Sequence, residues 1–174
     1  MLQHQLNNYF KTHWRGHLNI YNYSGLSLAK RIKPEEWVLD VGCGLNAFKH
    51  LITNLVGIDP AFSQADYQTS IEDFKTDIKF DVAFCLGSIN FGNEHNILNQ
   101  INCVNNLLKS NARIYWRVNP GLKDHGNKEC HDIEFFPWSK KLLHEYAIKF
   151  NFTVKDFKQD LNNRLYCEWA RSNT

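Results

Sequence analysis

Two short stretches hold residues whose types and spacing could do ligand chemistry. Val38-Leu39-Asp40-Val41-Gly42-Cys43-Gly44-Leu45-Asn46-Ala47 is an apolar run that carries an acid and then enters a G-x-G turn. Glycines at such a turn let the backbone come close to a nucleotide-like ligand. Val56-Gly57-Ile58-Asp59 ends the next apolar run on a carboxylate, 17 residues after Gly42. A carboxylate in that place can accept both hydroxyls of an adenosine ribose.

Two ligands fit the pattern. Gly42–Ala47 matches the G-x-G-x-x-G/A fingerprint of dinucleotide sites, which would make the protein an NAD-binding oxidoreductase. Asp40 argues for the other ligand. A carboxylate beside the turn repels a pyrophosphate, which prefers bare amide donors and the positive end of a helix. The same carboxylate attracts a ligand carrying an ammonium and a sulfonium. Electrostatics therefore favours S-adenosyl-L-methionine (SAM) over NAD. A length of 174 residues agrees, because a dehydrogenase would normally need a second half or a substrate domain.

These residues must be positioned by the elements around them. Trp37–Val41, Leu55–Ile58, Phe80–Leu86 and Ala112–Val118 read as buried strands. Phe48, Leu51 and Ile52 give a helical face after the first strand. Ile97, Ile101, Val104 and Leu108 predict a helix over 93–109 with Asn93 as its N-cap. Beyond a polar loop (119–134), Pro137 and Ser139 open a helix whose apolar face holds Leu142, Leu143, Tyr146 and Phe150. Phe152–Phe157 and Leu165–Ala170, joined by DLNNR, read as an antiparallel hairpin. Strands alternating with helices indicate a doubly wound α/β sheet.

On these residues the chain resembles class I SAM-dependent methyltransferases, over about residues 36–171. V-L-D-V-G-C-G looks like that family's first motif, G-I-D-P its second, and F-D-V-A-F-C-L-G-S-I-N-F its fourth strand and following loop. The chain also looks like the small stand-alone methyltransferases often found in bacteriophage genomes. The resemblance implies a Rossmann-like, mostly parallel, seven-stranded sheet with a C-terminal antiparallel strand pair. It implies that Asp40, Gly42, Cys43 and Gly44 line the methionyl part of the cofactor and that Asp59 holds the ribose. Leu86, Gly87 and Ser88 would pass beside the methionyl and sulfonium region, and Asn46 and Pro60 complete the two motifs.

Three departures from the family pattern stand out. Asn46 occupies the place of the third glycine; Asn tolerates left-handed backbone, so the turn can survive. Residues 60–66 leave almost no room for a crossover helix, so that edge of the sheet is trimmed. Where the family usually puts an acid for the adenine amino group, spacing puts Ser70, with Ile71 against the ring and Asp73 one turn too far.

The implied reaction is methyl transfer from SAM to an O, N or S nucleophile, with His13, His17, Tyr23, Asn90 and His95 as candidate bases or orienters. The rival reading is a non-catalytic SAM-binding or interaction module, motivated by the trimmed sheet edge and the lack of an identifiable base. Twenty basic residues against 18 acidic ones give a net charge of +2, which disfavours a nucleic-acid acceptor and points to a small molecule. The N-terminal 36 residues are richer in charge and rings: Lys11, Arg15, Lys30, Arg31 and Lys33 stand against Glu35 and Glu36, among Tyr9, Phe10, Trp14, Tyr21 and Tyr23. Residues 1–35 read as an aromatic lid, with Tyr21 and Tyr23 foremost, or as a helix packed on the sheet; 36–174 read as the SAM-binding domain.

Five cysteines without a C-x-x-C, no long apolar run and no signal-peptide pattern give a reduced, cytoplasmic expectation with no membrane partner. His125, Cys130 and His131 match no closed metal pattern and read as a solvated loop, so no metal is expected. Asn119-Pro120-Gly121 superficially resembles the N-P-P-Y of DNA amino-methyltransferases but follows the wrong strand.

Overall fold

The computed structural model describes residues 2–14, 26–121, 132–161 and 163–171. Its strands are β1 (Val38–Val41), β2 (Leu55–Ile58), β3 (Phe80–Leu86), β4 (Leu108–Val118), β5 (Thr153–Gln159) and β6 (Leu165–Ala170). They form one sheet in the order β2-β1-β3-β4-β6-β5. The first four run parallel, and β6 inserts antiparallel between β4 and β5. Strands β1, β2 and β3 are almost wholly buried, which is why their sequences are nearly unbroken apolar runs. In β6, Leu165, Cys167 and Trp169 are buried and alternate with half-buried neighbours, as the period-two pattern requires.

The helices are α1 (Leu2–Thr12), α2 (Leu26–Ala29), α3 (Glu94–Asn106) and α4 (Lys140–Lys149). Asn93 caps α3 by accepting from the Asn96 N–H, and the Asn96 side chain accepts in return from the Asn93 N–H. Ser139 caps α4 through the Leu142 N–H. Both helices cover one face of the sheet, where Ile97, Ile101, Leu143 and Ala147 meet Leu39, Ala83, Ile114 and Trp116. The other face carries a thinner layer: Phe48 and Ile52, with Leu28 and Ala29 of α2, over Val38, Val82, Phe84 and Tyr115.

The sheet has six strands, not the seven implied by the resemblance. The segment that would form a seventh makes a single parallel bridge, Tyr67 to Ile58 on the outer edge of β2. Seven residues between Asp59 and Tyr67 cannot carry a parallel crossover. Likewise, the helix expected around 48–52 is only a 3-10 turn, Ala47–His50, with Leu51 52% exposed. Strands of four residues span about 13 Å, so a short return suffices between β1 and β2. Strand β4 starts four residues before the apolar run, pairing Leu108 with Phe80 before a register shift. At the opposite edge, β5 shifts register between Lys155 and Lys158, where Asp156 takes φ 50°. Among the described residues no helix is long and apolar enough to cross a membrane.

Candidate active site

The C-terminal ends of β1 to β4 open onto one cavity of about 400 Å³, the position where parallel α/β sheets bind ligands. Its near wall is the turn after β1. Gly42 (φ 71°), Gly44 (φ 53°) and Asn46 (φ 56°) are all left-handed. A Cβ on Gly42 would lie 2.4 Å from the Ser88 Cβ, so this turn and the loop after β3 touch where only glycine fits. Asn46 takes the left-handed conformation expected of it and gains a second role. Its Nδ2 donates to the Gln64 carbonyl (3.0 Å), clipping the shortened loop, and its Oδ1 fills the space a Cβ on Gly57 would occupy.

The N–H groups of this turn are used internally. Gly42 and Cys43 donate to the Ile58 carbonyl (2.8 and 3.0 Å), Gly44 to Asp59 Oδ2 (3.0 Å) and Asn46 to the Cys43 carbonyl (2.9 Å). A pyrophosphate would find none of these donors bare, and the element that follows is a single 3-10 turn with little helix dipole to offer. This arrangement works against a dinucleotide. Asp59 Oδ1 also accepts from the Ala61 and Phe62 N–H groups (2.8 and 3.1 Å). Of about four lone-pair sites on the carboxylate, three are taken, leaving room for one ribose hydroxyl rather than the two expected.

Asp40 is 4% exposed, and no described residue donates a hydrogen bond to it. Burial, reinforced by the Asp59 charge, pushes its pKa up to about 7. It stands behind the cavity wall with Cys43 and Asn46, whereas Gly42, Gly44, Asp59 and Pro60 form that wall. The Cys43 thiol packs toward Gly57, and burial pushes its pKa well up, which makes it an inert thiol.

Ser70 and Ile71 also line the cavity. The Ser70 hydroxyl donates to Asp73 Oδ2 (2.8 Å) and accepts from the Asp73 N–H. Sequence reasoning missed Glu72 and Gln100 beside them. Gln100 Nε2 donates to Glu72 Oε1 (2.9 Å), while Gln100 Oε1 is buried without a partner among the described residues. The available signal was a polar residue adjoining the apolar stripe of Ile97, Ile101 and Val104 on α3.

Leu86, Gly87 and Ser88 form the far wall, with the Ser88 hydroxyl buried and likewise unpartnered. Asn90 is 3% exposed and brackets the loops: its Oδ1 accepts from the Asn119 N–H (2.9 Å) and its carbonyl from the Phe136 N–H (2.8 Å). The Trp138 indole donates to the Ile89 carbonyl (2.8 Å), tying this loop to the Trp116–Trp169 core. Helix α1 lies across the opening. Phe10 packs edge-on against Phe91 (5.7 Å), Trp14 meets Phe62 (5.3 Å), and Leu6 and Tyr9 join Ile133 and Phe135. His13 stacks on Tyr9 and lines the cavity. His95 is exposed on the first turn of α3, apart from the cavity wall. His17, Tyr21, Tyr23, His125, Cys130 and His131 lie outside the described residues, among which no group of three metal-binding side chains occurs.

No protein-family model matches the chain, and no match is found among curated proteins. Solved structures do match. The 1,6-didemethyltoxoflavin-N1-methyltransferase of Burkholderia thailandensis, with its substrate and S-adenosylhomocysteine (SAH) bound, superposes with TM-score 0.74 at 13% identity, covering 98% of this chain and 89% of that one. The magnesium protoporphyrin IX methyltransferase of Synechocystis PCC 6803, with SAM bound, gives 0.68 at 12% identity over 99% and 98%. A SAM-bound amino pentose methyltransferase from Micromonospora echinaspora gives 0.62 at 14% over 92% and 100%. The fold is therefore that of the class I SAM-dependent methyltransferases.

Proposed function

We propose that the protein is a SAM-dependent methyltransferase acting on a small-molecule acceptor. The observation that carries this reading is the turn after β1: its N–H groups are spent internally, and it is backed by a buried Asp40 to which no described residue donates a hydrogen bond. That arrangement suits an ammonium and a sulfonium and does not suit a phosphate. Orphaned Ser88 Oγ and Gln100 Oε1 fit a polar ligand lying across the cavity. Gly42, Gly44, Asp59, Leu86, Gly87 and Ser88 would hold the cofactor, with Ile71, Glu72 and Gln100 around the adenine.

When bound, SAM supplies a methyl group on a sulfonium, already a good leaving centre. The chain contributes alignment and exclusion of water, plus a base where the nucleophile carries a proton. Of the lid expected over residues 1–35, Phe10 of α1 and Trp14 just beyond it line the cavity and would shield the reaction. Asn90, held by Asn119, can orient an acceptor, and His13 is the cavity-lining imidazole suited to removing a proton. Small molecules named with the matched structures, 1,6-didemethyltoxoflavin among them, support the acceptor class, and a cytoplasmic location fits it.

Calorimetry should show SAH binding to the folded protein and NAD binding far more weakly or not at all. Asp59→Ala should reduce SAH affinity by about 100-fold, the loss expected when a charged hydrogen-bond acceptor is removed. Transfer of label from radioactive SAM to a lysate small molecule separates an enzyme from a binding module. Folded protein that ignores SAH would overturn the reading.

A further inference from the structure

Arg117 stands near the end of β4 on the cavity wall, opposite Leu86 of β3 and Tyr166 of β6. Its carbonyl accepts from the Gly87 N–H (2.9 Å), and its Nη1 lies 3.9 Å from where a Cβ on Gly87 would be. The guanidinium therefore flanks the part of the wall assigned above to the reacting centre. Its Nε is buried with no hydrogen-bond partner among the described residues. Burial lowers its pKa and the Arg164 charge on the same wall lowers it further, while the Tyr166 hydroxyl, hydrogen-bonded to the guanidinium, and the Asp160 charge act the other way.

The nearby acid, Asp160, reaches Arg117 through the Tyr166 hydroxyl rather than by a direct salt bridge. Asp160 accepts from the Tyr166 hydroxyl (2.8 Å) and the Arg164 N–H (2.8 Å). By contrast, Arg113 is paired with Glu36, and Arg31 with Asp156 and Glu168. No ion pair joins Arg117 to any described residue. A desolvated cation without a bonded counter-charge is costly, and a guanidinium is shaped to receive a carboxylate in two parallel hydrogen bonds. Position argues for whose carboxylate it is. Strand β4 lies three strand spacings, about 14 Å, from β2 and Asp59, on the acceptor side of Gly87. The nearby roof is apolar and aromatic, from Phe10, Phe91 and Phe135. A sulfonium beside Gly87 would face the guanidinium as a like charge, and an anion placed between them would neutralise both.

We propose that Arg117 determines acceptor specificity, selecting a small apolar or aromatic acceptor that carries a carboxylate or comparable oxyanion. Its role in catalysis rests on the methyltransferase reading; the anion preference of the cavity does not. The test uses benzoate and its uncharged isostere benzamide as probes, titrated calorimetrically into the full chain with and without saturating SAH. Wild type should bind benzoate at least about tenfold more tightly than benzamide, the scale of one charge-assisted pair. Arg117→Gln should erase that preference and leave SAH affinity within about twofold. Arg117→Lys, which keeps the charge and guards against a folding defect in the Gln variant, should retain part of the preference. Three results would overturn the proposal: equal binding of benzoate and benzamide by wild type, a preference that survives in Arg117→Gln, or a tenfold loss of SAH affinity in that variant, which would assign the guanidinium to the cofactor's own carboxylate. If wild type ignores SAH yet prefers benzoate, the methyltransferase reading fails while the anion site stands.

Discussion

On the β1–β2 side of the cavity, polar groups bond to one another. Four backbone N–H groups of the turn, the Asp59 carboxylate and the Asn46 Nδ2 are engaged, most of them between the β1 turn and residues 58–64, while Asn46 Oδ1 is buried without a partner among the described residues. On the β3–β4 side, Ser88 Oγ and Arg117 Nε are buried and bond to no described residue. The first half is a preformed cradle whose cost was met on folding; the second leaves polar groups that a ligand must complete. Substitutions that remove a bonded group of the first half should therefore damage stability and binding together, and those in the second binding alone.

The largest effect belongs to Gly42→Ala. A left-handed alanine whose Cβ meets the Ser88 Cβ should lose roughly 3 kcal/mol in a urea titration. SAH affinity should fall with it by about 100-fold. Wild-type stability after this change would break the distinction between the halves.

Asp40 gives a smaller, pH-dependent effect. Its folded pKa of about 7 lies above the ordinary carboxylate value, so the folded state resists its ionisation. Wild-type stability should fall as pH rises from about 4 to about 7 and level off above. Asp40→Asn should remove that slope and be about 1–2 kcal/mol more stable than wild type at pH 8, the buried amide keeping part of the cost. SAM affinity of wild type should improve over the same pH range, as the carboxylate ionises near a ligand carrying an ammonium and a sulfonium, and stay flat in the variant. Thermal unfolding and calorimetry from pH 4.5 to 8 would show both.

The smallest effect sharpens the contrast most. Ser88→Ala deletes an orphaned hydroxyl, so stability should change by less than about 0.5 kcal/mol, while SAH affinity falls by about threefold. A stability loss as large as that of Gly42→Ala would show the hydroxyl to be committed in the folded chain.

The same division explains what could be read from the amino-acid order. The first half rests on backbone chemistry in two short stretches, where glycines, the tolerant Asn46 and the acid ending β2 announce it. Strands β1 to β3, the capped α3 and the β5–β6 hairpin were legible for the same reason: their patterns are short-range. Glu72, Gln100 and Arg117 were not, because they meet only after strands from distant parts of the chain pair, and nothing beside Arg117 in the sequence marks it. The 3-10 turn after β1 was misjudged because Phe48, Leu51 and Ile52 have helical spacing in a segment with room for a single turn, and the missing seventh strand because the resemblance supplied an element for which the short loop leaves no length. His95 was misplaced because its spacing after β3 says nothing about which side of α3 it occupies.

The shortened loop after β2 also bears on how copies of this chain meet. Tyr67 bonds to the outer edge of β2 through Gly57 and Asp59, and Asp66 accepts from the Gly57 N–H (2.8 Å). That occupies edge groups that another strand would seek. At the other end, β5 is kinked at Asp156 and carries Lys155 and Lys158. With one border plugged and the other bent and charged, the sheet offers no straight row of amides for strand-by-strand growth, so crowded solutions of the folded protein should resist fibril formation.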